Sequence, residues 1–109
     1  MSTAPDHMST HESESDERNQ SLKVYLNGKI VLREQALVSV YDAGFMLGDG
    51  IWEGIRLYNG KWAFVEDHMD RLYESARVVD MDIPLTREQI IEALDQTAAA
   101  NQMTQDVHA

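Results

Sequence analysis

The amino-acid sequence predicts an α+β protein, an antiparallel sheet with two helices packed on it. Two Asn-Gly pairs each sit between short strand-like runs, two stretches repeat apolar residues every three or four positions, and the helical stretches follow the strand-like ones.

Residues 1–21 hold five acids, one Arg and almost no large apolar side chain. Such a segment buries too little surface to offset the entropy of ordering, so a disordered acidic tail is expected. His7 and His11 stand four apart within it. Without a helix-forming context they belong to a solvated polar tail and not to a metal site.

From Leu22 the pattern turns β-like. Lys23–Leu26 and Lys29–Leu32 flank Asn27-Gly28, and Leu57-Tyr58 and Lys61–Val65 flank Asn59-Gly60. A type I′ turn needs positive φ at both central residues, which Asn-Gly supplies, so two hairpins are expected. Between them Ala36-Leu-Val-Ser-Val reads as a further strand, and Tyr41–Gly50 as a glycine-rich loop leading into a strand over 51–58.

Over Glu66–Met81 the apolar residues Met69, Leu72, Tyr73, Ala76 and Val79 form one stripe, with Glu66 and Asp67 at the positive end of the helix dipole. The second helix begins at Thr86-Arg-Glu-Gln89, a capping-box pattern, and carries Ile90, Ile91, Leu94 and Ala98 to near Asn101. Gln105–Ala109 reads as the approach to another strand, so a truncated domain is expected.

Composition narrows the function. The chain has 109 residues, one domain or a piece of one, and no cysteine, which removes disulfides, thiolate metal sites and thiol catalysis. A net charge of −10 repels nucleic-acid phosphates and anionic lipid surfaces, so neither is an expected partner. No stretch approaches the roughly 20 apolar residues of a membrane span, and no secretory signal opens the chain. A soluble, cytoplasmic protein is expected. The glycine spacing in Gly44–Gly50 fits neither a phosphate-binding P-loop nor a dinucleotide fingerprint, and the histidines show no metal-binding spacing.

Along residues 51–58 a period of two puts Trp52, Gly54, Arg56 and Tyr58 on one face and Ile51, Glu53, Ile55 and Leu57 on the other, the likelier core side. An aromatic, a glycine open to close approach and a planar cation could floor a pocket for an amino or keto acid. By pattern alone the plainer account ranks first: a sheet aromatic, a bend and a solvated charge. On the first helix Arg71 lies off the apolar stripe, roughly in line with His68 and Ser75, where the three could hold an anion; most arginines so placed simply face water.

The runs Val24-Tyr-Leu-Asn-Gly-Lys, Gly48-Asp-Gly-Ile-Trp-Glu-Gly-Ile-Arg-Leu-Tyr-Asn-Gly and His68-Met-Asp-Arg-Leu, in this order, resemble the N-terminal small domain of class IV aminotransferases. These pyridoxal-phosphate enzymes include branched-chain and D-amino acid transaminases and aminodeoxychorismate lyase. The resemblance covers residues 22–109 and implies a D-amino acid aminotransferase-like fold.

The resemblance implies that Arg71, the arginine of His-x-x-Arg-Leu, contacts the phosphate of pyridoxal 5'-phosphate. It further implies that Trp52, Gly54 and Arg56 lie in the substrate pocket, and that His108 falls where branched-chain enzymes often carry a substrate-touching Tyr. Leu47 stands where an aromatic often precedes the Gly-Asp-Gly run, and Trp52 is bulkier than the usual Phe or Tyr. Glu-Gly-Ile-Arg is closer to branched-chain transaminases than to D-amino acid ones.

The family's cofactor-binding lysine lies in a second domain, and Lys23, Lys29 and Lys61 do not match it, so this chain alone is expected to be inactive. No catalytic residue is assigned within it. The implied partners are an amino acid, a 2-oxo acid and, in the complete protein, a second copy forming a homodimer. The rivals are a fragment of a D-amino acid transaminase or aminodeoxychorismate lyase, and a non-catalytic dimerisation module.

Overall fold

A computed structural model describes residues 17–109. The expected acidic tail lies outside the described residues up to residue 16, and its last part is organised: Glu17–Asn19 form a 3-10 turn. Arg18 of this turn donates to the backbone oxygen of Gln105 at 3.2 Å. A guanidinium with several donors secures a segment that composition marks as solvated.

The first hairpin forms as expected. Strand β1 (Lys23–Leu26) pairs antiparallel with β2 (Lys29–Leu32), with Leu26 opposite Lys29 across the turn. Asn27 and Gly28 take φ of 51° and 87°, the conformation that Asn-Gly favours. A second 3-10 turn, Arg33–Gln35, follows.

Ala36–Val40 departs from expectation. It is not a strand, and Leu37, Val38 and Val40 are exposed. Strand propensity is a preference for a pleated, half-buried surface; without a ladder partner among the described residues these side chains stay largely in water. The glycine-rich loop in turn contains a short helix, α1 (Ala43–Leu47). The Asp42 carboxylate caps it, accepting from Gly44 N at 2.8 Å, and Gly48 closes it in the left-handed region at φ 73°.

Of residues 51–58 only β3 (Arg56–Tyr58) is strand; it pairs with β4 (Lys61–Trp62) across the Asn59-Gly60 turn. Its other edge pairs with β5 (Val107–His108). The strands therefore form two antiparallel sheets, β1-β2 and β4-β3-β5, where one was expected.

Helix α2 (Val65–Val78) buries Met69 and Ala76, which with Ile55 and Leu57 make the buried apolar core of the described residues. Val79, expected in the stripe, lies past the helix end and is exposed. Helix α3 (Arg87–Ala100) opens on the predicted capping box: Gln89 N donates to Thr86 Oγ1 at 3.1 Å, and Thr86 N to Gln89 Oε1 at 2.9 Å.

Helix α3 joins the two sheets. It lies against β1, and its C-cap Asn101 mimics a neighbouring strand: Lys23 N donates to Asn101 Oδ1 at 2.7 Å and Asn101 Nδ2 to Lys23 O at 2.9 Å. On the other side Trp62 Nε1 of β4 donates to Asp95 Oδ1 at 2.8 Å. The helices are tied together by Arg87, 2.5 Å from Asp70 Oδ1 and stacked over the Tyr73 ring at 5.5 Å.

Candidate functional site

The alternation predicted for residues 51–58 holds although most of the segment is not strand. Ile55 and Leu57 are buried, while Trp52, Gly54, Arg56 and Tyr58 face outward. The extended direction is kept by a bond pair beyond the ladder, Ile55 N to Ala109 O at 2.9 Å and Ala109 N to Ile55 O at 2.8 Å.

On the outward face the Trp52 ring lies over Gly54: a Cβ added there would meet the ring at 3.5 Å, ordinary contact, and nothing else within 4 Å. Trp52 itself is 84% exposed. Arg56 stands directly opposite His108 in the β3–β5 register, so the two share this face. The Arg56 guanidinium is ion-paired with Asp106 and sits 5.8 Å from the centre of the Tyr58 ring. The structure thus groups Trp52 with Gly54, and Arg56 with His108, along one surface.

Arg71 is held elsewhere, by a residue that sequence reading assigned only to the core side. Glu53 Oε1 accepts from Arg71 Nη2 at 2.8 Å and lies 2.6 Å from His68 Nδ1. The Glu53 and His68 side chains are 17% and 15% exposed, that of Arg71 60%. A carboxylate oxygen only accepts, so Nδ1 carries the proton of the His68–Glu53 bond. The 3.0 Å approach of Arg71 Nη2 to the same Nδ1 is then a contact between two donors gathered on one oxygen.

The Arg71 hydrogen bond, and after it that of His68, holds the Glu53 carboxyl below its ordinary pKa, against a smaller opposing effect of burial. Glu53 in turn raises the pKa of Arg71. Ser75, expected in line with Arg71, makes no side-chain hydrogen bond among the described residues. The signal for Glu53 was present in the sequence: an acid in the inward register, between Ile51 and Ile55, requires donors.

The cluster suits an anion with several oxygens. Arg71 spends one Nη on Glu53, and its Nη1 and Nε have no protein partner among the described residues, which leaves outward donors in planar array. No group of His, Asp and Glu among the described residues is arranged to hold a metal ion.

The model of the family "Amino-transferase class IV" matches residues 50–108, the stretch from the outward face through Arg71 to His108. The chain is 46% identical over 82 residues to a provisionally named branched-chain-amino-acid aminotransferase of Methanocaldococcus jannaschii, covering 75% of this chain and 28% of that protein. It is 44% identical over 80 residues to a D-alanine aminotransferase of Listeria monocytogenes, covering 73% and 28%.

Among solved structures, a T.th. branched-chain amino acid aminotransferase complexed with N-(5'-phosphopyridoxyl)-L-glutamate superposes with a TM-score of 0.74 at 28% identity, covering 82% of this chain and 31% of that one. The chain therefore spans between a quarter and a third of the length of these relatives. Sequence, fold and the order of the motifs agree, and the chain belongs to the class IV aminotransferases.

Proposed function

We propose that residues 22–109 are the N-terminal small domain of a pyridoxal-phosphate transaminase that moves an amino group between a branched-chain amino acid and a 2-oxo acid. The observation that carries this is Arg71, braced by Glu53 with its other donors turned outward inside a family match. Arg71 binds the cofactor phosphate through charge-assisted hydrogen bonds. When bound, the cofactor supplies the electron sink of transamination.

Trp52 and Gly54 shape the substrate side, Trp52 as an apolar wall and Gly54 by leaving room. Arg56 offers its guanidinium to the substrate carboxylate once it exchanges Asp106 for it, and His108 flanks it across the strand pair. The lysine that bonds to the cofactor belongs to a second domain, and the complete protein works as a cytoplasmic homodimer.

The complete reading frame, expressed with pyridoxal phosphate, is expected to transfer the amino group of L-leucine to 2-oxoglutarate. Turnover with D-alanine alone would move the assignment to the D-amino acid branch, which the Listeria relative represents. Pyruvate release from aminodeoxychorismate would identify a lyase, and absence of every activity overturns the reading.

A further inference from the structure

We propose that Glu53 is the positioning residue of the phosphate anchor: its single oxygen Oε1 gathers Arg71 Nη2 and His68 Nδ1 and so fixes the direction of the Arg71 donors before any ligand arrives. This rests on the reading of Arg71 as phosphate-binding. Arg71 is a long side chain, 60% exposed, on the outer side of α2. Unbraced, it would sample many rotamers, and binding would have to select one at the expense of affinity. Glu53 is not free in that way. Its side chain is 17% exposed, on the inward register between Ile51 and Ile55, with Ile55 buried in the core. His68, 15% exposed and one turn before Arg71 on the same helix, occupies the same oxygen and restricts the carboxylate further. The anchor is therefore built from the core outward: a strand-like segment fixed by the buried Ile55 holds an acid, and the acid holds the cation.

A competing effect has the opposite sign. The carboxylate offsets part of the positive charge of Arg71, and this alone would weaken attraction for a dianion. The two effects separate by substitution. Glu53→Ala removes both the brace and the charge, whereas Glu53→Gln keeps an accepting oxygen and removes only the charge. If positioning dominates, Ala weakens phosphate binding and Gln restores much of it. If charge compensation dominates, both variants tighten it.

The probes are pyridoxamine 5'-phosphate and pyridoxamine, which lack the aldehyde that reacts with any lysine. Their dissociation constants on the complete protein, freed of cofactor, are measured by titration calorimetry, and their ratio isolates the phosphate contribution. The wild type is expected to prefer the phosphorylated form. Glu53→Ala is expected to lower that preference about tenfold, the size of one charge-assisted hydrogen bond, with pyridoxamine binding unchanged and Gln intermediate. Without ligand, exchange of the Arg71 side-chain protons with water, followed by NMR, is expected to be faster in Glu53→Ala than in Glu53→Gln.

An undiminished or strengthened preference in Glu53→Ala, while Arg71→Met abolishes it, overturns the positioning role and leaves the phosphate reading standing. A preference that survives Arg71→Met, or is absent in the wild type, overturns both. Should the Ala variant lose its circular-dichroism signature, Glu53→Met, which keeps the side-chain length without an accepting oxygen, takes its place: an undiminished or stronger phosphate preference overturns the role, and a weaker preference with faster Arg71 proton exchange supports it.

Discussion

Glu53 shows how a residue of one sign can be placed by its neighbours of another. Its carboxyl is held below its ordinary pKa by Arg71 and then His68. A depressed folded-state pKa means that the stabilisation is complete above the unfolded value and is lost as pH falls through the lower, folded one. Chemical-denaturation midpoints measured from pH 7 down to pH 3 are expected to fall less steeply at the acid end in Glu53→Gln than in the wild type. Gly54 makes the opposite kind of test. A methyl group there meets only the Trp52 ring at ordinary contact, so Gly54→Ala is expected to shift stability by less than about 1 kcal/mol. If the outward face is the substrate side, the same change weakens binding of bulky donors by the complete protein, read as a higher KM for L-leucine. The outward register of Trp52, Gly54 and Arg56 was legible in the sequence because period is a local property. The partner of Arg71 was not, since a contact between residues 53 and 71 depends on how a strand-like segment meets a helix.

Helix α3 and the hairpins differ in how much of their stability is local. The capping box at Thr86 and Gln89 is closed in both directions, so Thr86→Ala removes one acceptor from the first turn and is expected to cost about 1 kcal/mol, measured as a lower thermal midpoint. Trp62→Phe keeps an aromatic ring, smaller than the indole, and loses the bond from Nε1 to Asp95, which joins β4 to α3; Asp95 is exposed and recovers water, so a cost of at least about 0.5–1.5 kcal/mol is expected in denaturant titration. Both Asn-Gly hairpins and both long helices were readable because turn chemistry and periodicity act within a few residues. Ala36–Val40 was misread because a strand exists only with a partner, and α1 was missed because five residues bearing a glycine show no period. The split into two sheets was equally out of reach, being set by long-range contacts: β1 lies on α3, and β4 reaches the same helix through Trp62 and Asp95.

Across the whole chain the core is small. Among the described residues four apolar side chains are buried, while Leu37, Tyr41, Phe45, Leu47 and Trp52 are among the large apolar side chains left exposed. These side chains leave apolar groups open to water. The 109-residue chain is expected to bind a fluorescent hydrophobic dye at neutral pH, and Phe45→Ser with Leu47→Ser to reduce that signal without lowering the thermal midpoint. This surface was visible in the sequence as apolar residues but not as exposed ones, because exposure follows from what the rest of the molecule fails to cover. The pairing of Lys23 with Asn101 sets a clock on synthesis. The backbone groups of the first strand wait for a side chain 78 residues downstream, roughly 4–16 s of elongation at ordinary ribosomal rates. Through that interval the backbone groups of Lys23 at the edge of the first hairpin are open to pairing with another strand.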